Sequence, residues 1–364
     1  MPETHYIEGS GWRTGVLVDP DPRPVTAPKL MPTHGEYPIY DATLYDPMTT
    51  DTERTWRFRE ALERYAPDRV VLDIGTGSYL FWARESLRAG AGRVIAMETM
   101  QGSYDAASRA LESLDDGDRV TLLHGESTTL VIEQKAELCV AEIIGSLASA
   151  EGAAAVLADA KRRHLTPDAA IIPDVCSTRA AAVSFAGLFA GRVPAFSPDA
   201  LPQLQRIFDW NGGPFDVRLR IADPAPDGIM SDHAAVERLE FNGNLRAEQA
   251  SQVRLTIDRP GVADGILTWL VIQCLPDQKP LDALRDQTNW ASIYLPLFDT
   301  GVPVTAGDTV DLSFGSVLSE DGVHPDYHIS AELRTAHGVH RAEHASLYQR
   351  GGRHSHPLYR TLLP

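Results

Sequence analysis

The sequence predicts a doubly wound α/β domain followed by an antiparallel β-barrel domain. Two observations indicate this order. Apolar runs of strand length alternate with helix-patterned stretches up to about residue 173, which is typical of a parallel sheet covered by helices. Beyond Pro173 the apolar runs are short and β-patterned, and clusters of Gly, Pro, Asn and Asp separate them. We therefore assign residues 36–173 to the first domain, residues 174–364 to the second, and residues 1–35, which contain six prolines, to an irregular N-terminal arm.

The first domain opens with a predicted helix over Thr52–Tyr65, where apolar side chains recur at helical spacing. The apolar run Val70–Ile74 predicts a strand, and the turn Gly75-Thr76-Gly77 follows it. A helix comes next, and a second strand over Arg93–Met97 ends in Glu98. A strand, a glycine turn, a helix and a strand with an acidic end form a βαβ unit of a Rossmann-like sheet.

The remaining elements follow the same two patterns. In the first domain, helices are predicted at Tyr104–Leu114 and Gly152–His164, and strands at Val120–His124, Glu137–Glu142 and Ala169–Pro173. In the second domain, strands are predicted at Val217–Ile221, Val253–Ile257, Ile266–Ile272, Ile293–Leu297, Thr309–Phe314 and Tyr327–Leu333. The stretch 190–214 carries Phe196, Phe208 and Trp210 among prolines and glycines, which predicts a dimerisation arm that contacts a second subunit.

Composition limits the classes of function. Apolar residues make up 43% and charged residues 23% of the 364 positions, as in globular proteins. Acidic residues outnumber basic ones by 50 to 33, so the net charge of −17 argues against nucleic acid as a partner. No run approaches the roughly 18 apolar residues of a membrane span, and no signal pattern is visible at the N-terminus. The three cysteines lie far apart, which predicts neither a disulfide framework nor a metal site. We expect a cytoplasmic protein without a membrane partner.

The glycine turn is the first candidate for ligand binding. Gly75 and Gly77 stand where a backbone can approach a ligand closely, and Leu80 replaces the third glycine of the dinucleotide fingerprint. Asp73 precedes the turn, and Glu98 ends the next strand, where a carboxylate can accept both ribose hydroxyls. No lysine-bearing phosphate loop is present. The pattern therefore predicts an adenosine-containing, phosphate-free cofactor, and a purely structural turn is the alternative.

Further candidate residues belong to the same predicted edge of the sheet. Glu126 and Ser127 follow the third strand, where an adenine would meet side chains. Glu142 ends the fourth strand and Glu151 begins the next helix, so two acids flank a mostly apolar loop of small residues. By itself, Glu151 would more often be an acid that stabilises a helix N-terminus. Glu142 is expected to face the cofactor crevice.

These motifs resemble those of the protein arginine methyltransferases over roughly residues 36–335. Two glutamates nine residues apart match the signature loop of that family, and Thr288-Asn289-Trp290 resembles its Thr-His-Trp loop. Met48-Thr49-Thr50-Asp51-Thr52-Glu53-Arg54 resembles its Met…Asp…Arg element, in which the arginine binds the cofactor carboxylate. The resemblance implies a Rossmann-like methyltransferase domain followed by a β-barrel domain, and head-to-tail homodimers.

The resemblance also implies the chemistry. The cofactor would be S-adenosyl-L-methionine, converted to S-adenosyl-L-homocysteine, with no metal. Glu142 and Glu151 would be the catalytic residues. The cofactor would be bound by Met48, Arg54, Asp73, Gly75, Gly77, Glu98, Glu126 and Ser127.

The sequence departs from the family at the substrate pocket. Ile143-Ile144-Gly145-Ser146 stands where many members have Trp-Met-Gly-Tyr, and Asn289 replaces the usual histidine. We expect smaller pocket walls, which suit a compact substrate better than a protein tail. The predicted substrate-binding residues are Tyr37, Tyr40, Ile144, Ser146, Asn289 and Trp290.

Three interpretations follow. The first is a small-molecule methyltransferase of bacterial specialised metabolism, acting on a guanidino amino acid or an indole-type ring at nitrogen or carbon. Two carboxylates can grip a guanidinium bidentately while Glu151 accepts the proton, or one of them can accept an indole N–H. The second is a protein arginine methyltransferase. The third is a cofactor-binding scaffold without catalysis, against which the intact pair Glu142 and Glu151 argues.

Overall fold

The N-terminal residues form a hairpin, whereas the sequence predicted an irregular arm. The computed structural model describes residues 1–20, 27–33, 35–39, 50–349 and 352–364, so the predicted site residues Tyr40 and Met48 lie outside the described residues. Strand β1 (Glu3–Gly9) pairs antiparallel with β2 (Trp12–Val18), and β3 (Lys29–Pro32) joins the barrel. The prediction of an irregular arm relied on the prolines of this segment, but most of them lie after residue 18, outside the hairpin.

The first domain is a five-stranded parallel sheet with helices around it. Its elements in chain order are α1 (Thr52–Tyr65), β4 (Val70–Ile74), α2 (Phe81–Arg88), β5 (Arg93–Glu98), α3 (Gln101–Glu112), β6 (Val120–His124), β7 (Ala136–Val140), α4 (Ala153–Arg163) and β8 (Leu165–Ile172). The strand order is β6-β5-β4-β7-β8, all parallel, as the alternating pattern predicted. Central β4 is buried at every position because its neighbours and the helices cover both faces.

This strand order positions the site. Strands β5 and β7 lie on opposite sides of central β4 and run parallel to it, so the carboxyl ends of all three strands meet along one edge of the sheet. The glycine turn after β4, Glu98 of β5 and Glu142 after β7 therefore lie side by side. Helix α1 packs near this edge, where the Phe58 ring stacks on Trp82 with centroids 4.6 Å apart.

The second domain is an antiparallel barrel. Its elements are β9 (Val175–Val183), α5 (Ala200–Asn211), β10 (Leu219–Ala222), β11 (Ile229–Glu240), β12 (Gln249–Thr256), β13 (Gly261–Ala263), β14 (Gly265–Gln273), β15 (Leu281–Asp282), β16 (Ser292–Pro296), β17 (Val302–Val304), β18 (Thr309–Leu318), β19 (Pro325–Thr335), β20 (Gly338–Ser346) and α6 (Pro357–Leu362). One sheet has the order β11-β9-β14-β16-β10-β3, with β15 beside β14, and another has the order β12-β18-β19-β20. Strands β13 and β17 form a separate pair.

The apolar side chains of the predicted dimerisation arm, 190–214, differ in burial. Phe196 and Phe208 are fully buried within the chain, and Phe208 packs edge-on against Trp12 of the hairpin at 5.8 Å. Trp210 is partly buried against Tyr37 at 5.2 Å. Phe196 and Phe208 are therefore core residues, which corrects their interpretation as docking side chains, while contact of this stretch with a second subunit stays a prediction. Across the part of the chain that the structure describes, no helix has the length and apolar character needed to cross a membrane.

Candidate active site

A cleft of about 400 Å³ opens between the carboxyl edge of the parallel sheet and the barrel. The glycine turn and the ends of β5 and β6 form one wall, and the loop with the two glutamates forms the floor. Residues 35–38 and the barrel loop between β18 and β19 complete it. Of the predicted site residues, the cleft is lined by Tyr37, Arg54, Gly75, Gly77, Glu98, Glu126, Ser127, Glu142 and Glu151.

The glycine turn has a backbone that requires glycine. Gly75 and Gly77 have φ values of 74° and 67°, and a Cβ atom on Gly75 would lie 2.9 Å from Cγ2 of Ile143. Asp73 lies fully buried beneath the turn, where its Oδ2 accepts a hydrogen bond from Thr76 Oγ1 at 2.6 Å. Burial raises the pKa of Asp73 to about 7, against the opposing effect of Thr76. Asp73 therefore lies behind the turn and outside the cleft lining, and its predicted role in cofactor binding stays a prediction.

Glu98 connects the turn to the second strand. Its Oε2 accepts from the Gly77 amide at 2.9 Å, and its Oε1 accepts from the Met100 amide at 2.8 Å. Burial raises the pKa of Glu98, and these amide donors oppose the rise. The carboxylate is thus fixed at the cleft wall. Further along the wall, Glu126 accepts from Thr99 Oγ1 at 2.7 Å.

The two acids of the loop face the same cleft. Glu142 follows β7, and its Oε2 accepts from Arg54 Nη1 at 2.9 Å, with both side chains about 5–6% exposed. Burial raises the pKa of Glu142 to about 7; the Arg54 charge lowers it and Asp51 raises it further. Glu151 lies at the other end of the loop, directly before Gly152, whose φ of 82° turns the chain into α4.

Asp51 holds Arg54 in place. The Asp51 carboxylate caps α1, with Oδ1 accepting from the Arg54 amide at 3.0 Å. Its Oδ2 accepts from Thr288 Oγ1 at 2.6 Å and from the Asn289 amide at 2.9 Å. One carboxylate therefore joins the start of α1 to the loop 288–290, and the Arg54 guanidinium lies 5.3 Å from the Trp290 ring centroid.

Four predicted substrate contacts lie outside the cleft. Trp290 is 8% exposed, and its Nε1 donates to the Ile144 carbonyl at 2.8 Å, so it anchors the glutamate loop. Ile144 is buried in the core, while its neighbour Ile143 lines the cleft. Asn289 and Ser146 do not line it either. The structure thus places Ile143 at the cleft and Ile144 in the core, and the substrate contacts of this loop stay a prediction.

Trp290→Phe tests the anchor. We expect a loss of about 1–3 kcal/mol in the free energy of unfolding, because the Ile144 carbonyl loses its buried donor. Turnover should fall as the loop loosens. Trp269→Phe is the matched control, since Trp269 is also buried, at 1% exposure, and its Nε1 has no hydrogen-bond partner among the described residues. Urea unfolding of both variants measures the difference; equal losses would contradict the anchoring role.

The barrel contributes cleft residues that sequence reasoning missed. Asp321, Val323 and His324 of the β18–β19 loop line the cleft with Tyr348. The His324 ring stacks on Tyr348 with centroids 4.2 Å apart, and its Nδ1 lies 2.6 Å from Asp321 Oδ2. Burial favours the neutral form of Asp321, but hydrogen bonds from His324 and nearby amides hold its pKa below the usual range. No local motif marks these residues, because only the barrel fold brings them to the glycine turn.

The residues of the cleft fit the predicted cofactor. A sulfonium carries positive charge and an adenosine carries no phosphate, and the lining is correspondingly acidic. Its carboxylates are Glu36, Glu98, Glu126, Glu142, Glu151 and Asp321. Arg54 and Glu98 both line the cleft, and their predicted partners are the cofactor carboxylate and the ribose hydroxyls. No group of three metal-ligating side chains occurs among the described residues.

Comparisons with known proteins agree with this architecture. An arginine N(omega)-methyltransferase of Streptomyces achromogenes is 27% identical over 288 residues, which cover 74% of each chain. Protein arginine N-methyltransferase 7 of Drosophila grimshawi is 29% identical over 67% of this chain, but the match spans only 37% of the fly protein. No family model matches the chain.

Solved structures match over most of the fold. The PRMT1 enzyme–prozyme heterotetrameric complex of Trypanosoma brucei with AdoHcy superimposes with a TM-score of 0.66 at 17% identity. Protein arginine methyltransferase 10 of Arabidopsis thaliana gives 0.67 at 16% identity, and each match covers 84% of this chain and 98% of the other.

The parallel sheet with its glycine turn and acidic strand end, followed by an antiparallel barrel, gives this chain the fold of the solved protein arginine methyltransferases. In sequence the chain is similar to arginine N-methyltransferases, and these similarities support an S-adenosylmethionine-dependent methyltransferase.

Proposed function

We propose that the protein methylates a guanidino nitrogen of a small amino-acid-type molecule. One observation carries the proposal: Glu142 and Glu151 face a single cleft that also holds the glycine turn and Glu98. The activity in the name of the Streptomyces relative favours a guanidine over an indole. The aliphatic Ile143 in the cleft supports a compact substrate, because it replaces a bulky aromatic wall.

The bound cofactor would supply an electrophilic methyl group on sulfur. A guanidinium is a weak nucleophile because its lone pairs are delocalised, so the protein must mainly orient it. Glu142 and Glu151 accept its N–H groups, fix its plane and aim one nitrogen along the axis of displacement. The methyl group would pass from the cofactor sulfur to that nitrogen, and Glu151 takes the proton that the methylated nitrogen releases, directly or through water.

Arg54 contacts a predicted catalytic residue and is also expected to bind the cofactor. Its guanidinium pairs with Glu142 and lines the same cleft as the glycine turn, which supports a second role toward a cofactor carboxylate. Its positive charge also favours the ionised form of Glu142. Arg54 thereby helps Glu142 present a negative charge to the incoming substrate.

A peptide arginine is the second candidate, because several insect relatives carry the name protein arginine N-methyltransferase 7. The decisive experiment offers labelled S-adenosylmethionine with free arginine, an arginine-rich peptide or tryptophan, and identifies products by mass spectrometry. We expect free arginine to be methylated fastest. Faster labelling of the peptide would establish the protein-directed alternative. Labelling of tryptophan would establish an indole substrate. The absence of any labelling would support a scaffold without catalysis.

The pH dependence of acceptor use tests the role of Glu142. Its pKa of about 7 in the substrate-free protein means that it is neutral below pH 7 and cannot pair with a guanidinium cation. We therefore expect kcat/KM for the acceptor to rise with pH through about 7 and then level off. The rise should vanish in Glu142→Gln. Because the pKa of Asp73 is also about 7, Asp73→Asn serves as a comparison and should keep the rise.

A further inference from the structure

A buried carboxylate lies beneath the loop that joins the two glutamates. Glu237 of β11 is 3% exposed and points into the junction between the barrel and the methyltransferase domain. Its Oε1 accepts from the Ser149 hydroxyl, and its Oε2 accepts from Thr178 Oγ1 at 2.7 Å. The backbone N–H groups of Ala148 and Ser149 stabilise its charge as well.

Every group around this carboxylate belongs to the loop or supports it. Thr178 Oγ1 also accepts from the Ala148 amide at 2.9 Å, so one hydroxyl connects the loop backbone to Glu237. The Ser149 hydroxyl lies 2.8 Å from the hydroxyl of Tyr327, a β19 residue. These contacts fix the loop two and three residues before Glu151, from strands of the barrel.

Burying a carboxylate is costly unless donors satisfy it. Burial raises the pKa of Glu237, and the hydrogen bonds from Ser149 and Thr178 oppose that rise. All of its partners donate, which suits an ionised, acceptor-only group. An apolar side chain would fill the space without this cost, but it could not hold the polar backbone of the loop.

We propose that Glu237 is a positioning residue that fixes Glu151 at the cleft through Ala148 and Ser149. The inference rests on the proposed role of Glu142 and Glu151 in orienting the acceptor. Trp290 holds the opposite end of the loop through Ile144, so the two acids are fixed by different parts of the barrel domain. Glu237 does not line the cleft and touches no reacting atom.

The test is Glu237→Gln in the full chain. The amide nitrogen places a donor against groups that already donate, and backbone N–H groups cannot reverse. We expect kcat to fall at least about tenfold, because small displacements of catalytic groups reduce rates steeply. The affinity for S-adenosyl-L-homocysteine, measured by calorimetry, should stay within about twofold because the glycine turn and Glu98 are untouched.

Two controls separate positioning from general stability. Glu240→Gln changes an exposed carboxylate on the same strand, which pairs with Arg238, and should leave turnover unchanged. Leu333→Ala removes packing from the barrel core, and we expect it to lower the melting temperature without a comparable loss of kcat. If Leu333→Ala lowers kcat as much as Glu237→Gln at an equal loss of Tm, the positioning role is overturned.

Should Glu237→Gln fail to fold, Thr178→Val decides the question. It keeps the shape of the side chain and removes the hydroxyl that joins Ala148 to Glu237. A fall in kcat with unchanged cofactor-product affinity supports the inference, and unchanged kcat overturns it. A separate result would contradict the proposed function. If Glu142→Gln and Glu151→Gln both keep full turnover, the two glutamates are not catalytic. If those two variants are inactive while Glu237→Gln and Thr178→Val are normal, only the positioning inference fails.

Discussion

Glu142→Gln is expected to lower kcat by roughly two to three orders of magnitude, the usual scale for removing one oriented charge from a desolvated active site. The side chain keeps its size, and its amide oxygen can still accept one hydrogen bond from Arg54. What is lost is the negative charge that orients a guanidinium in the plane required for attack. Cofactor affinity should change little, because the glycine turn and Glu98 supply most of that binding surface.

Glu151→Gln is the companion variant, and we expect a loss of similar size for a partly different reason. It removes the proton acceptor and also one of the two carboxylates that bind the guanidinium. Glu63→Gln, an exposed carboxylate on α1, is the control and should leave turnover unchanged. Single-turnover rates with calorimetry for S-adenosyl-L-homocysteine separate chemistry from binding. Retention of turnover in both loop variants would show that other groups orient the acceptor.

The cleft residues expected to bind the cofactor could be predicted from the sequence, because local motifs mark them. Gly75, Gly77, Glu98 and Glu142 each stand at the end of an apolar run of strand length, and parallel topology brings such ends together. The helix over Thr52–Tyr65 was predicted at the bounds that the structure has, because its apolar spacing coincides with an aspartate cap.

The cleft residues expected near the substrate were harder to predict from the sequence, because the barrel fold determines where they lie. Asp321 and His324 are over 170 residues away from Glu142 in sequence, and no short motif marks them. The positions of Ile143 and Ile144 relative to the cleft depend on how the loop docks on Trp290. The sequence analysis did not single out Glu237, because only the pairing of β11 with β9 places it beside Thr178 and under the loop.

Strand β9 and the N-terminal hairpin were missed for another reason. Strand β9 is rich in alanine, which has low strand propensity, yet small side chains are what allow neighbouring strands and the glutamate loop to pack closely on it. In the hairpin, the polar and apolar residues of β1 are mostly exposed, and burial becomes pronounced only in β2. The hairpin packs against other elements, β1 against α5 and β2 against α6, and periodicity within the segment cannot reveal these contacts.

Glu98→Ala should weaken cofactor binding on the order of 100-fold, equivalent to roughly 3 kcal/mol, the upper range for hydrogen bonds to a charged group. Two effects combine. The variant loses the acceptor for ribose hydroxyls, and it also releases the Gly77 and Met100 amides that Glu98 now fixes. Gly77 belongs to the glycine turn. Once its amide loses the Glu98 acceptor, we expect the turn to shift and to pack less closely against the cofactor.

Two related variants divide these effects. Glu98→Gln keeps one acceptor oxygen and should weaken binding less than Glu98→Ala. Glu112→Ala, an exposed glutamate on α3 that follows Glu98 in the chain, should leave affinity unchanged. Calorimetric titration with S-adenosyl-L-homocysteine gives the dissociation constants directly. If Glu98→Ala binds as tightly as the parent protein, the ribose is recognised elsewhere in the cleft and the acidic end of β5 serves only to hold the glycine turn.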